Sequence, residues 1–100
     1  MRLSADLKAF EGRIGHKFTR PELLLRAVTH ASISSPGRED NQRLEFLGDR
    51  VLGLVIGDWL YSLESGDEGR LSQRLNALVS RSTCAKVARA IDLGPHMLLG

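Results

Sequence analysis

The sequence is poor in the residues on which several classes of protein depend. It has one cysteine, Cys84, so an internal disulfide scaffold is excluded and a reducing compartment is indicated. Trp59 and Tyr61 are too few to form a stacking platform for single-stranded nucleic acid, and we expect them to pack in the core or in an interface. No apolar run approaches the ~18 residues that span a bilayer, and the N-terminus has no signal-peptide pattern. We therefore expect a cytoplasmic protein that is not associated with a membrane.

Motifs for several kinds of chemistry are also missing. His16 and His96 have no second histidine or cysteine at a spacing typical of metal ligands. Ser34, Ser35 and Ser80 lack the histidine and aspartate partners of a nucleophilic hydrolase. His30 is predicted to end the second helix, where it can cap the helix or, as the alternative, contact RNA. We expect no organic cofactor.

What remains is an ordinary composition for one small domain. The chain has 100 residues, 42% of them hydrophobic and 26% charged, with a formal net charge of +2. Arginine supplies 11 of the 14 basic residues, which suits bidentate phosphate contacts but equally reflects the composition of a genome. Arg70, Arg74 and Arg81 share a predicted helix side, which forms either a phosphate-tracking surface or a solvated face.

The hydrophobic pattern is helical throughout and never alternates as in a strand, which predicts an all-α fold. Ser4 is expected to cap a first helix that Gly12 and Gly15 close. Thr19, followed by Pro21 and Glu22, predicts the start of a second helix with a capping box. Residues 32–40 are predicted to form a loop.

The longest predicted helix runs from about Gln42 to Leu63 and is apolar on most sides, so it is expected to be central or to lie in an interface. Its inner glycines cost about 1 kcal/mol each relative to alanine, which a close approach of another backbone or a partner chain would offset. A fourth helix follows Gly69. Ser80 or Ser82 is predicted to cap a fifth helix with Cys84 turned inward, and Gly94 with Pro95 is expected to stop it.

Glu45 and Asp49 lie four residues apart on this long helix, so their carboxylates share one side. Two like charges between apolar neighbours require compensation. A divalent cation such as Mg²⁺ is one solution, because it prefers oxygen ligands. Pairing with Arg43 or Arg50 is the second, and a solvated acidic patch is the third; spacing alone leaves all three open.

The run Asn41-Gln-Arg-Leu-Glu-Phe-Leu-Gly-Asp49 resembles the signature of the ribonuclease III family, N-E-R-L-E-F-L-G-D, at eight of nine positions. Three further segments resemble family elements in matching order. They are Arg20-Pro-Glu-Leu-Leu with Ala27-Val-Thr-His-Ala-Ser32, Asp67-Glu-Gly69, and Asn76-Ala-Leu-Val-Ser80. The resemblance covers nearly the whole chain.

The resemblance implies an all-α endonuclease domain that dimerises through the signature helix and cuts double-stranded RNA with Mg²⁺, for which Mn²⁺ can substitute. It further implies processing of ribosomal and messenger RNA precursors to 5′-phosphate and 3′-hydroxyl ends. Glu45 and Asp49 match metal-binding and catalytic positions. Gln42 and Glu68 match accessory positions of the RNA cleft, and the Phe46–Leu47 pair matches positions at the dimer interface.

The chain departs from the family pattern in two respects. Gln42 stands where glutamate is usual, which removes a charge from an accessory position and is expected to change the rate or RNA handling without abolishing the chemistry. Residues 1–100 also match only the front part of the family domain. We therefore expect a domain that is truncated before its second acidic helix and that lacks the double-stranded-RNA-binding domain.

Three hypotheses follow from these features. The first is a metal-dependent endoribonuclease of the ribonuclease III type, although the 100-residue chain alone can be inactive. The second is a catalytically incomplete fragment that binds RNA or dimerises. The third is a purely structural helical dimerisation domain in which Glu45 and Asp49 pair with arginines.

Overall fold

The structure, a computed structural model, describes residues 2–37 and 39–99. It contains the five α-helices α1 (Ala5–Ile14), α2 (Pro21–Ala27), α3 (Gln42–Leu63), α4 (Glu68–Leu78) and α5 (Arg81–Ala90), with 3₁₀ turns at Ala31–Ile33 and Gly94–His96. These residues form no strand, although Thr29 and Leu98 make an isolated parallel bridge. The predicted all-α fold is confirmed, and α3 has its predicted bounds.

Side-chain caps begin two of the helices where the sequence predicts them. The Ser4 Oγ accepts a hydrogen bond from the Leu7 amide at 3.2 Å, and the Ser80 Oγ accepts one from the Thr83 amide at 3.2 Å. Gly15 ends α1 in the left-handed region at φ 71°, a conformation that favours glycine. Gly12 lies inside α1, so the prediction that it helps to close the helix was wrong.

The predicted capping box of α2 is also wrong. The helix begins after Arg20, which makes no side-chain cap, and Pro21 occupies the first turn. The Glu22 carboxylate does not reach back toward Thr19 but accepts a hydrogen bond from the Arg20 Nε at 3.1 Å. Its own backbone amide and then the Arg20 guanidinium stabilise the charged form, which lowers the pKa of Glu22 below its ordinary value.

The main core is formed by side chains of α1 and α2 and of the residues that flank these helices. Its buried side chains are Leu3, Leu7, Phe10, Leu24 and Val28. Residues near the C-terminus pack against this cluster, namely Ile91, Leu93 and Met97. The first and last parts of the chain therefore share one small core, and α3 leads away from it.

The side of α5 that carries Cys84 differs from the prediction. Cys84 is exposed, as is Val87 at 53%, so these side chains do not point inward. The helix packs on α4, but within the described residues no further element covers the side that carries them. The helix ends at Ala90, before Gly94 and Pro95, and Asp92 then adopts a left-handed φ of 56°.

The molecule is elongated because α3 is long and only partly covered. Its extents are 47 × 26 × 23 Å, and its radius of gyration is 15.8 Å, against about 13 Å for a compact domain of this length. The accessible surface is 7593 Å², which exceeds the roughly 5,600 Å² expected of a compact monomer of this mass by about 2,000 Å². Only Leu60 is buried in α3, and α4 and α5 have no buried residue.

None of the helices in the described ranges combines the length and the apolar character needed to cross a membrane.

Candidate active site

The start of α3 is tied to the end of α2 by a set of backbone and side-chain hydrogen bonds. The Asn41 amide donates to the Thr29 carbonyl at 2.9 Å, and the Asn41 Nδ2 donates to the Ala27 carbonyl at 3.1 Å. The Leu98 amide donates to the Val28 carbonyl at 2.8 Å, and the His30 amide donates to the Leu98 carbonyl at 2.9 Å. This junction joins three parts of the chain at the N-terminus of α3.

Asp40 supplies the side-chain bond at the start of α3. Its Oδ1 accepts from the Gln42 amide at 3.0 Å, whereas Asn41 makes no side-chain cap. Arg26 fixes the preceding residues, because its Nε donates to the Asp40 carbonyl at 3.2 Å and its Nη1 lies 2.9 Å from the Glu39 Oε2. Arg26 in α2 and the side chain of Asp40 therefore fix the segment that leads into the signature helix.

Three of the predicted site residues lie along one side of α3. Glu45 and Asp49 are about 40° apart around the helix axis at 100° per residue, and Gln42 falls within about 60° of both. All three side chains are exposed. Leu52, Ile56 and Leu60 continue the same side toward the C-terminus and become progressively covered, Leu60 to 3% exposure. The acidic pair thus extends the side of α3 on which the helix packs.

The acidic pair has little internal compensation. The Asp49 Oδ2 lies 3.8 Å from the Arg50 Nη1, and both side chains are about two-thirds exposed (70% and 64%), so the pair contributes little to stability. The Arg50 guanidinium instead stacks 4.6 Å from the centroid of the Phe46 ring. Within the described ranges no contact between Arg43 and either acid is found. Both carboxylates are therefore open to a cation.

The two predicted interface residues do not form one ridge. Phe46 lies about 60° from Asp49 around the axis, whereas Leu47 lies about 160° away, on the opposite side of α3. Leu47 belongs to a separate exposed apolar band. That band consists of Leu47, Val51, Leu54 and Val55. These four side chains are 51–74% exposed and follow the i, i+4, i+7, i+8 spacing of one helix side.

An added Cβ on any of the three inner glycines of α3 would meet no atom of the described chain within 4 Å. The described residues therefore provide no close backbone approach to these glycines. The predicted alternative, contact with a partner chain, remains.

Glu68 does not join Glu45 and Asp49. It opens α4 after the turn that follows Leu63, and Asp49 lies about 21 Å back along α3 from that end at 1.5 Å per residue. The Glu68 Oε1 accepts from the Ser72 Oγ at 3.0 Å. Among the described residues, no three histidine, cysteine or acidic side chains come together as a metal site.

The prediction that His30 ends the second helix was wrong, because α2 ends at Ala27. The His30 Nδ1 accepts from the Ser32 amide at 3.1 Å, so His30 caps the 3₁₀ turn at Ala31–Ile33. The sequence reasoning missed Glu64, whose carboxylate binds both Arg70 and Arg74. Two arginines one helical turn apart, shortly after an acid that ends a helix, were the available signal.

Comparison with known proteins decides the family. A Ribonuclease-III-like family model matches residues 20–100. The chain belongs to the ribonuclease III family. Ribonuclease 3 of Cereibacter sphaeroides is 63% identical across 100% of this chain, and that of Ruegeria pomeroyi is 60% identical across 100%. The chain covers only 44% and 45% of those relatives, so it spans less than half of their length.

Solved ribonuclease III structures share this fold. The nuclease domain from Campylobacter jejuni superposes with a TM-score of 0.88 at 37% identity, covering 94% of this chain and 65% of that one. That structure concerns flexibility in a region involved in dimer formation. A crystal structure of the same domain gives a TM-score of 0.86 at 35% identity, covering 97% of this chain and 65% of that one. The predicted ribonuclease III-like fold is confirmed.

Proposed function

We propose that this chain carries part of the active site of an endonuclease that cleaves double-stranded RNA with a divalent metal ion. The observation that carries the proposal is the exposed pair Glu45 and Asp49, held on successive turns of α3 in a chain of the ribonuclease III family. The hydrogen-bonded junction at Asn41 supports it further, because a fixed helix start gives both carboxylates a defined position.

The donor chemistry of the pair fits Mg²⁺, with Mn²⁺ as a substitute. Carboxylate oxygens are the protein ligands that Mg²⁺ prefers, and the ion commonly takes one or two of them together with water and phosphate oxygens. Glu45 and Asp49 would hold the ion, and both are free of strong ion pairs. When bound, such an ion activates water and neutralises charge at the leaving 3′ oxygen. The remaining ligands would come from water, RNA and parts of the family domain that this chain does not include.

The chain's own residues would position the RNA and the ion. Asp49 and Glu45 would hold the ion, and Gln42, one turn before Glu45, would offer an amide to a phosphate or a water molecule. Glu68 can accept a hydrogen bond from a ribose 2′-hydroxyl, the group that distinguishes RNA from DNA. Products with 5′-phosphate and 3′-hydroxyl ends, made from ribosomal and messenger RNA precursors in the cytoplasm, complete the proposal.

A homodimer through α3 is part of the same proposal. The band Leu47, Val51, Leu54 and Val55 is exposed, and the chain has about 2,000 Å² more surface than a compact monomer. A standard interface covers roughly 800 Å² on each partner, so this excess is larger than one such interface requires. Phe46 lies nearer the acidic pair and is proposed to contact the partner at the margin of this surface.

The second candidate is a fragment that binds RNA or dimerises without cutting. It is favoured by the finding that no third acidic, histidine or cysteine side chain joins Glu45 and Asp49 within the described ranges. The two candidates make different predictions for RNA cleavage by the 100-residue chain.

The test uses one labelled RNA duplex of about 30 base pairs. It is incubated with the 100-residue chain or with the full-length protein, in Mg²⁺ or in EDTA. We expect the full-length protein to make staggered cuts only with Mg²⁺, leaving ends that a 5′-phosphate-dependent exonuclease digests. Cleavage in EDTA, or ends that resist this exonuclease, would contradict the proposal. Cleavage of the duplex by the 100-residue chain itself would exclude the second candidate, which predicts RNA binding or dimerisation by this chain without cleavage.

A further inference from the structure

The connection between α3 and α4 contains a compact cluster of ion pairs that has no role in the proposed reaction. Glu64, the residue that ends α3, has a side chain only 17% exposed. Its Oε2 accepts from the Arg70 Nε at 3.2 Å, and its Oε1 lies 3.4 Å from the Arg74 Nη2. One carboxylate thus binds two arginines on successive turns of α4.

Gly66 makes the first of these contacts possible. A Cβ placed on Gly66 would lie 2.4 Å from the Arg70 Cδ and 3.0 Å from its Cβ and Cγ. The aliphatic part of the Arg70 side chain therefore occupies the space that a Cβ at position 66 would need. Gly66 has no positive φ, and the three atoms nearest to an added Cβ all belong to the Arg70 side chain, so alanine at this position would displace that side chain.

The opposite side of α4 presents Glu68. Arg70 and Arg74 lie about 160° and 120° from Glu68 around the helix axis, whereas Ser72 lies about 40° from it. The Ser72 Oγ donates to the Glu68 carboxylate at 3.0 Å, and the Asp67 Oδ1 accepts from the Arg70 amide at 3.0 Å to start the helix. Glu64 therefore binds the side of α4 that carries Arg70 and Arg74, whereas Glu68 lies on the opposite side.

We propose that Glu64 and Gly66 are positioning residues that set the rotation of the first turn of α4 and so direct Glu68 toward the RNA. The inference rests on the proposed function, in which Glu68 contacts the substrate. Without the Glu64 contact, the first turn of α4 keeps its Asp67 cap but loses the ion pairs that join Arg70 and Arg74 to the end of α3. Glu68 then points in a range of directions, and the productive one is populated less.

The test is a double-mutant cycle on single-turnover cleavage of a 30-base-pair RNA by the full-length protein with Mg²⁺. We expect Glu64→Gln to slow cleavage about 3- to 10-fold in the wild-type background. In a Glu68→Ala background the same substitution is expected to change the rate less than about 1.5-fold, because residues acting through one another are not additive. Glu39→Gln, which removes an ion pair with Arg26 far from α4, is the control and should give equal effects in both backgrounds.

Gly66→Ala provides a second route that keeps Glu64 and displaces the Arg70 side chain that it binds. We expect Gly66→Ala to slow cleavage as Glu64→Gln does and to have a smaller effect in the Glu68→Ala background. This variant tests the inference even if Glu64→Gln fails to fold. Equal effects in the two backgrounds, or no effect of either variant, would overturn the inference. A Glu68→Ala protein that cleaves normally would overturn it as well, while an inactive Asp49→Asn protein tested in parallel would leave the proposed function standing.

Discussion

The Asn41 side chain donates a hydrogen bond from its Nδ2 to the Ala27 carbonyl at 3.1 Å, fourteen residues earlier in the chain. The Asn41 amide donates to the Thr29 carbonyl at 2.9 Å, so one residue binds the end of α2 twice. Thr29 is fully buried, and its Oγ1 donates to the Leu25 carbonyl at 2.7 Å. These hydrogen bonds therefore fix the start of the signature helix against the end of α2.

Asn41→Ala is predicted to destabilise the protein by about 1 kcal/mol, because it removes the donor to Ala27 and leaves that carbonyl without its partner. Asn41→Asp should cost a similar amount, since a carboxylate cannot donate. The midpoint of urea unfolding of the full-length protein measures the change. Asn76→Ala, on the exposed side of α4, is the matched control and should not destabilise. An unchanged midpoint for both Asn41 variants would show that the junction does not depend on this side chain.

Val51→Asp is predicted to weaken self-association at least 100-fold, because it would bury a charge within the apolar band of α3. Leu47→Asp should act in the same direction. The dissociation constant comes from sedimentation equilibrium over a range of protein concentrations. Val87→Asp is the matched control, since Val87 is 53% exposed and Val51 is 51% exposed but they lie on different helices. Equal effects of the two valine substitutions would refute an interface on this side of α3.

Gln42→Glu is predicted to lower the Mg²⁺ concentration needed for half-maximal cleavage, because it adds a third carboxylate on the side of Glu45 and Asp49. Gln42→Ala should retain cleavage at an altered rate, as expected of an accessory position. Titrating Mg²⁺ in the duplex assay gives both midpoints. Gln73→Glu adds the same charge on α4 and is expected to leave the midpoint unchanged. A Gln42→Glu midpoint equal to that of the wild type would remove Gln42 from the metal site.

The parts of the fold that sequence predicts well are those set by local chemistry. Ser4, Gly15 and Ser80 act within one helical turn, and the helical period of α3 is continuous, so caps and bounds were predictable. Thr19 failed because Arg20, a competing partner for Glu22, lies only two residues from that acid. Cys84 and Val87 follow the apolar period of α5, but period alone does not show which apolar positions another element covers.

The candidate site likewise contains some features that local sequence patterns predict and others that they do not. Glu45 and Asp49 are brought to one side by the helix itself, so four-residue spacing was sufficient to place them. Phe46 and Leu47 are neighbours in sequence, yet they lie 100° apart around the helix axis, so the two predicted interface residues belong to different sides of α3. Contacts that cross between elements could not be predicted from local patterns, since they depend on how the helices pack. Asn41 with Ala27 and Glu64 with Arg74 are of this kind.

The central claim is that Asp49 lies in a metal-dependent cleavage site, and Asp49→Asn tests it most directly. Asp58→Asn is the matched control, because Asp58 is another exposed aspartate of α3 and its substitution removes the same charge. In the full-length protein with Mg²⁺ and a 30-base-pair RNA, we predict that Asp49→Asn abolishes cleavage while duplex binding in a gel-shift assay is retained. Asp58→Asn should cleave at the wild-type rate. Mg²⁺-dependent cleavage by Asp49→Asn at the rate of Asp58→Asn would contradict the account.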